Sequence, residues 1–464
     1  MHLVKAVIIF FIALVAFARF APQTNGNPQH VTRVALAIEM IEGRLEIDRF
    51  AQWTIDKAHD GEHYYSDKPP GLSLLAVPGI AATRAILSAN GGSYDPTDRE
   101  TLHKLITVAA FSTVCLFSAL AVALLYLFAL RLGAGETAAL FASATLAFAT
   151  PFFAWSSTFF AHPLSGSLLL IAAAIVGWNE RARREEALWR GVATGLVLGY
   201  LMVVDLTTAP AASLIGLWAL VRSEDRVREF AGLALGGIVG IAPLLIYNYL
   251  AFGNPLKLGY SQVVGFVGMK VGLFGLSMPD PWVAGELLFG RFRGLLPLSP
   301  VLLLVPFGLW RMWQEPRLRG IAMVIAGTML CFLLINASYY YWDGGGSTGP
   351  RHLVAMLPLA ALALAFAWPP RVSQQVVVVL LLAGSLFLSW VVATVEVFAN
   401  ARLKDPMWDF LLPSFFTEEY WARAYPVPFH WVAFASLLFL KPRSGTQRDK
   451  VPARPLEPAV EVKL

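Results

Sequence analysis

The sequence predicts an all-α integral membrane protein, folded as one bundle of about twelve transmembrane helices. Three observations lead there. Of 464 residues, 57% are hydrophobic and only 14% are charged, a balance that excludes an ordinary soluble domain; no nucleic-acid partner is expected. Apolar runs near the roughly 20 residues that a bilayer requires recur evenly along the chain. Lys and Arg gather in alternate connections between those runs, as positive residues resist translocation.

The runs fall at 4–20, 103–131, 136–154, 159–178, 188–204, 207–221, 229–251, 296–313, 319–337, 352–368, 374–394 and 427–441. The first also has the form of a signal peptide, since Lys5 precedes an apolar core and small residues follow. NERARREEALWR at 179–190, RSEDRVRE at 222–229, RMWQEPRLR at 311–319 and the segment from Lys441 carry the positive charge, and they are expected to be cytoplasmic together with both termini. Residues 21–102, the turns at His162 and Asp205, and the segments 252–295, 339–351 and 395–426 then face outward. One transmembrane domain over 1–441 is expected, followed by a polar, proline-rich and disordered cytoplasmic tail at 442–464. Cys115 and Cys331 lie in separate apolar runs, so neither a disulfide framework nor a cysteine metal site is expected.

The outward connections are long and rich in aromatic residues, Gly and Pro, whereas the inward ones are short and basic. Function is therefore expected at the outer face. In the large first loop, Val34 to Ile41 read as an amphipathic interfacial helix that stops at Gly43. Residues 72–87 form a second apolar helix, interrupted by Pro78 and Gly79 and carrying Arg84. It is expected to be juxtamembrane or re-entrant, because another span there would reverse every later connection. Between the two lies YYSDKPPG at 64–71. Pro69 and Pro70 hold the backbone of Asp67 and Lys68 extended, and Lys68 at the membrane surface can meet a phosphate where partial desolvation strengthens the pairing.

Other outer motifs have their own chemistry. In YWDGGGSTGPRHL at 341–353, successive glycines can present backbone N–H groups as an anion nest beside the permanently charged fork of Arg351. A nucleotide P-loop is excluded, since Pro350-Arg351 stands where Lys-Ser/Thr is required. Tyr341 and Trp342 are either sugar-stacking platforms or interfacial anchors. His162 opens a span, Asp205 suits a helix N-cap, and Arg291 and Arg293 flank a span within reach of a phosphate. No His, Asp and Glu grouping has metal-ligand spacing.

The order of these elements resembles the GT-C fold of membrane glycosyltransferases, and within it the branch of protein O-mannosyltransferases and lipid A aminoarabinose transferases. The first loop with its acid-Lys-Pro-Pro element carries the resemblance, as do FAHPLSG at 160–166, YNYLAFGNPLKLGY at 247–260, LLFGRFRGLLPLSPVLLL at 287–304 and YWDGGGSTGPRHLVAMLP at 341–358. It implies inverting transfer of a sugar from a polyprenyl-phosphate-linked donor to a lipid, glycan or protein acceptor, at the periplasmic face of a bacterial inner membrane. No resident cofactor is implied, although some members use a divalent cation. Lys68 matches the family's donor-phosphate lysine, and Arg33 falls close to its phosphate-binding arginine. The aspartate usual in the first loop does not carry over, because its place falls at Gln29 and His30. Asp67, Asp56 and His30 are the remaining catalytic candidates; Lys68, Arg33, Arg351 and Arg293 are the donor-phosphate candidates; Tyr341, Trp342 and His162 are the substrate-binding candidates. The alternative is a non-catalytic lipid-binding or lipid-translocating protein on the same scaffold.

Overall fold

The computed structural model describes residues 1–21, 26–91, 94–179 and 182–440. The expected tail at 442–464 lies outside the described residues. The first part of the chain forms α1 (His2–Phe20), α2 (Pro28–Ile41), a hairpin of β1 (Lys57–His59) and β2 (Tyr64–Ser66), α3 (Gly71–Ala89), α4 (Arg99–Ala110) and α5 (Leu116–Arg131). Next come α6 (Glu136–Phe148), the single turn α7 (Phe152–Trp155), α8 (Ala161–Gly177), α9 (Ala187–Val204), α10 (Ala209–Val221) and α11 (Arg226–Phe252). The remainder is α12 (Pro281–Phe289), α13 (Leu295–Leu298), α14 (Val305–Gln314), α15 (Arg319–Ser338), α16 (Leu357–Ala367), α17 (Val372–Val395), α18 (Leu412–Phe415), α19 (Glu418–Ala424) and α20 (Val427–Ala435).

Among the described residues, seven helices are long and apolar enough to cross a membrane, and four apolar helices are shorter. The evenly spaced apolar runs therefore correspond to fewer full-length spans than expected. The apolar run at 296–313 breaks into α13, a 3-10 turn at Pro300–Leu304 and α14, because Pro297, Pro300 and Pro306 remove backbone donors. The run at 136–154 likewise ends its helix at Phe148, before Pro151.

A chain of contacts separates the two ends of the bundle. His2 lies beside Tyr126, Arg131 Nε donates to the Trp178 carbonyl at 2.6 Å, Ala182 bridges Ser223, and Arg317 packs on Gly133. These gather the basic connections with the start of α1. The opposite ends of α8 and α9 bring His162 to Asp205. α1 belongs to the bundle: its buried Lys5 pairs with Glu136 at 2.5 Å and donates to the Leu437 carbonyl at 2.7 Å, which compensates a charge within an apolar helix.

Although α3 is long and apolar enough to cross, its contacts lie at the His162 end. Gly71 abuts the backbone of Val203 and Val204, the Tyr200 hydroxyl donates to the Gly71 carbonyl at 2.8 Å, and Gly79 meets Ser112 at the α4–α5 junction. α3 thus packs at that end of the bundle. α2 packs against both α3 and α4 and is buried from His30 to Glu39, more deeply than an interfacial helix need be. Its Glu39 is neutralised by Arg44 at 2.7 Å and Arg49 at 2.8 Å. The closest helix pair is α9 with α11, where Gly191, Gly195 and Gly199 face Gly232, Gly236 and Gly240; a Cβ on any of them would fall 2.1 to 2.5 Å from a facing carbonyl oxygen.

Candidate active site

The hairpin between α2 and α3 builds the site. Asp60 accepts from the N–H groups of Glu62 and His63 at 2.9 and 2.8 Å, while Gly61 takes φ of +115°, so the turn is tight. Asp48 accepts from Tyr64 N at 2.7 Å and holds the returning strand. The register pairs Lys57 with Ser66, so the next residues, Asp56 and Asp67, converge at the open end. Lys68 then reaches both, with Nζ 2.9 Å from Asp56 Oδ1 and 2.7 Å from Asp67 Oδ2. Burial pushes the Asp67 carboxyl above its ordinary range, against the pull of Lys68. Burial opposes the charge on Lys68 as well, yet Asp67 and Asp56 outweigh it and hold the ammonium above its ordinary value.

α2 contributes the next cation. Asn27 caps the helix by accepting from Gln29 N at 3.0 Å, and one turn on Arg33 donates to Gln29 Oε1 at 2.9 Å. Arg33 lies over the Phe160 ring at 5.7 Å, and Arg351 lies over the same ring at 5.4 Å. Both guanidiniums are buried, and the Nε of each lacks a partner among the described residues.

At the end of α9, Asp205 Oδ1 accepts from Thr207 N at 3.1 Å and Thr207 Oγ1 at 2.7 Å, the cap expected of it. Its other oxygen lies 3.5 Å from His162 Nδ1. The His352 ring stands edge-on to His162 with centroids 5.1 Å apart.

These groups line one cavity of about 790 Å³. Of the residues expected at the site, Asp56, Asp67, Lys68, Arg33, Arg351, Tyr341 and His162 line it, with Asp205, Glu396, His352, Tyr260 and the aromatic side chains of Phe266 and Phe274. Three expected residues sit apart from the cavity wall. His30 is fully buried, its Nε2 accepting from Phe159 N at 3.2 Å and its ring against Phe160 and Phe398. Arg293 is fully buried, donating to the carbonyls of Asp343 and Gly345 at 2.7 Å each and of Phe292 at 3.1 Å. It props the glycine loop from behind. Trp342 packs edge-on to Trp282 and Phe292.

The glycine loop also differs from the anion nest expected of it. Gly344 and Gly345 do take positive φ, of +70° and +62°. Their N–H groups are engaged by the Tyr341 carbonyl at 3.0 Å and Asp343 Oδ1 at 3.1 Å, which leaves the third glycine, Gly346, on the cavity wall with Arg351. Phe160, Tyr260, Glu396 and His352 had no distinguishing pattern as single residues, although Phe160, Tyr260 and His352 each fall inside a motif that carried the family resemblance.

The fold is that of the GT-C membrane glycosyltransferases. The chain superposes on the crystal structure of ArnT from Cupriavidus metallidurans, bound there to undecaprenyl phosphate, with a TM-score of 0.51 and 16% identity over 93% of this chain and 70% of that one. It also matches the archaeal oligosaccharyltransferase AglB from Archaeoglobus fulgidus, in complex with an inhibitory peptide and a dolichol-phosphate, with a TM-score of 0.45 and 12% identity over 93% of this chain and 55% of that one. No protein-family model matches the chain, and no curated protein matches it by sequence.

Proposed function

We propose that the protein is a membrane glycosyltransferase that takes a sugar from a polyprenyl-phosphate-linked donor and passes it to a lipid, glycan or protein acceptor, with the cavity facing the periplasm of a bacterial inner membrane. The observation that carries this reading is the convergence of Lys68, Arg33 and Arg351 on one cavity, with a buried and unpartnered Nε on each arginine. A phosphate oxygen supplies the acceptor that these donors lack. In the reaction, the acceptor hydroxyl attacks the anomeric carbon, the bond from that carbon to the phosphate oxygen breaks, and the three cations stabilise the charge left on the phosphate. Tyr341 and the other wall aromatics offer faces for the sugar.

The test compares lipid-linked sugars and envelope glycans in strains with and without the gene. Accumulation of one polyprenyl-phosphate sugar on deletion, with loss of one glycan, is the expected result; unchanged pools of both refute the reading. The alternative, a lipid-binding or lipid-translocating protein, draws on the amide of Gln29 at the place where the resemblance expects an acid. It gains if Lys68→Ala abolishes complementation while neutral variants of every cavity acid preserve it.

A further inference from the structure

We infer that His162 is the general base that deprotonates the acceptor, and that Asp205 is its positioning residue; this rests on the glycosyltransferase reading. The base has to face the cavity, accept a proton and stand free of the phosphate clamp. Asp56 and Asp67 line the cavity but are both tied to Lys68 at 2.9 and 2.7 Å, so a proton taken by either would break the ion pair that holds the clamp's own cation. Gln29 accepts no proton at neutral pH, and His30 lies off the cavity. Glu396 Oε1 accepts from Phe398 N at 2.7 Å, which holds it in its own turn.

His162 meets each requirement. It lines the cavity at the start of α8, next to Phe160, whose ring carries both phosphate-binding arginines. Its Nδ1 faces Asp205 Oδ2 at 3.5 Å, while Asp205 Oδ1 is locked by the backbone and hydroxyl of Thr207. That carboxylate fixes the tautomer with the proton on Nδ1 and leaves Nε2 to accept. A separation of 3.5 Å is long for a hydrogen bond, as catalytic contacts often are before substrate tightens them. The Asp205 carboxylate also lacks any second partner for Oδ2 among the described residues, so the imidazole is the group it can serve. In the step itself, the acceptor O–H proton moves to His162 Nε2 as the oxygen bonds to the anomeric carbon and the electron pair of the breaking bond leaves on the phosphate. The imidazolium faces Asp205, and its proton then passes to solvent or to the departing phosphate.

The test uses the full chain in proteoliposomes, with the lipid-linked sugar extracted from the deletion strain as donor and deletion-strain membranes as acceptor. Binding of undecaprenyl phosphate, followed by tryptophan fluorescence, is the second readout. His162→Gln is expected to lower turnover about 100-fold or more while binding stays within about twofold of wild type. Asp205→Asn is expected to lose less, and the double variant to be no slower than His162→Gln alone, since the two side chains act as one unit. His162→Gln with wild-type turnover overturns the inference and leaves the glycosyltransferase reading standing. So does equal loss of turnover and binding, which assigns His162 to the phosphate. If wild-type protein transfers no sugar, the broader reading fails instead.

Discussion

The ammonium of Lys68 lies 2.9 Å from the carboxylate of Asp56, a residue twelve positions earlier that the hairpin register delivers to it. Removing the lysine therefore does two separable things. Lys68→Ala is expected to weaken undecaprenyl phosphate binding at least tenfold, from the loss of a charge-assisted hydrogen bond of about 1.5–3 kcal/mol. It also strands two buried carboxylates and lowers the melting temperature. Adding Asp56→Asn to Lys68→Ala should recover part of the melt, Asp67 remaining unpaired, without recovering binding, as thermal unfolding in detergent and tryptophan fluorescence can record side by side.

Phe160 supports two guanidiniums on one ring. Phe160→Leu keeps an apolar side chain but removes the π face from both Arg33 and Arg351, each interaction being worth about 0.5–2 kcal/mol. Undecaprenyl phosphate affinity is expected to fall several-fold, the melting temperature to fall as well because the ring is fully buried, and the salt dependence of binding to be retained because the charges remain.

Arg293 and Arg351 flank the same glycine loop with different duties. Arg293→Lys replaces a fork that satisfies three carbonyls with one ammonium, and is expected to cost about 2–4 kcal/mol of stability. Arg351→Lys should leave the melt nearly unchanged and weaken phosphate binding. A common effect of both variants on binding alone would show that Arg293 reaches the donor.

The α9–α11 contact leaves no room for a side chain. A Cβ on Gly236 would fall 2.1 Å from the Val192 carbonyl oxygen, so Gly236→Val is expected to force the helices apart at a cost of about 1–3 kcal/mol or more. Gly285→Val is a fitting control, since nothing lies within 4 Å of a Cβ there.

The hairpin carries a pH-sensitive clamp. Its hydrogen bond to Asp48 is the main reason the His63 imidazole sits above its ordinary value, and the two atoms are 2.7 Å apart. Because the folded value is raised, the stabilisation is fully present below about pH 6.5 and is lost as pH rises through the raised value. Melting temperatures measured from about pH 5 to 9 should show this decline, and Asp48→Asn should remove it.

Much of the fold was legible before the structure because a bilayer permits few solutions. Apolar length and the sorting of basic connections indicated a helical bundle with its long, aromatic connections at the end opposite the basic ones, and the contacts place the cavity at that end. Prolines shortened several expected spans, since a run such as 296–313 is apolar throughout and hydropathy is blind to missing backbone donors. At the site, Lys68 was readable from its two prolines and Arg351 from its glycines. The dual role of Phe160 was not, because a phenylalanine in an apolar chain carries no local mark.

What the sequence determined by itself was the fold class, the end of the bundle that carries the long aromatic connections, and cations that the cavity wall gathers, since each rests on composition or on residues adjacent in the chain. The tertiary structure alone decided which acids meet which bases. Asp56 reaches Lys68 through a hairpin register, and Asp205 reaches His162 because α8 and α9 end together. Such pairings depend on distances of a few ångströms between segments far apart in sequence, and packing sets those distances. Packing likewise left His30 and Arg293 behind the cavity wall while it brought Asp205, chosen from sequence only as a helix cap, to the cavity beside His162.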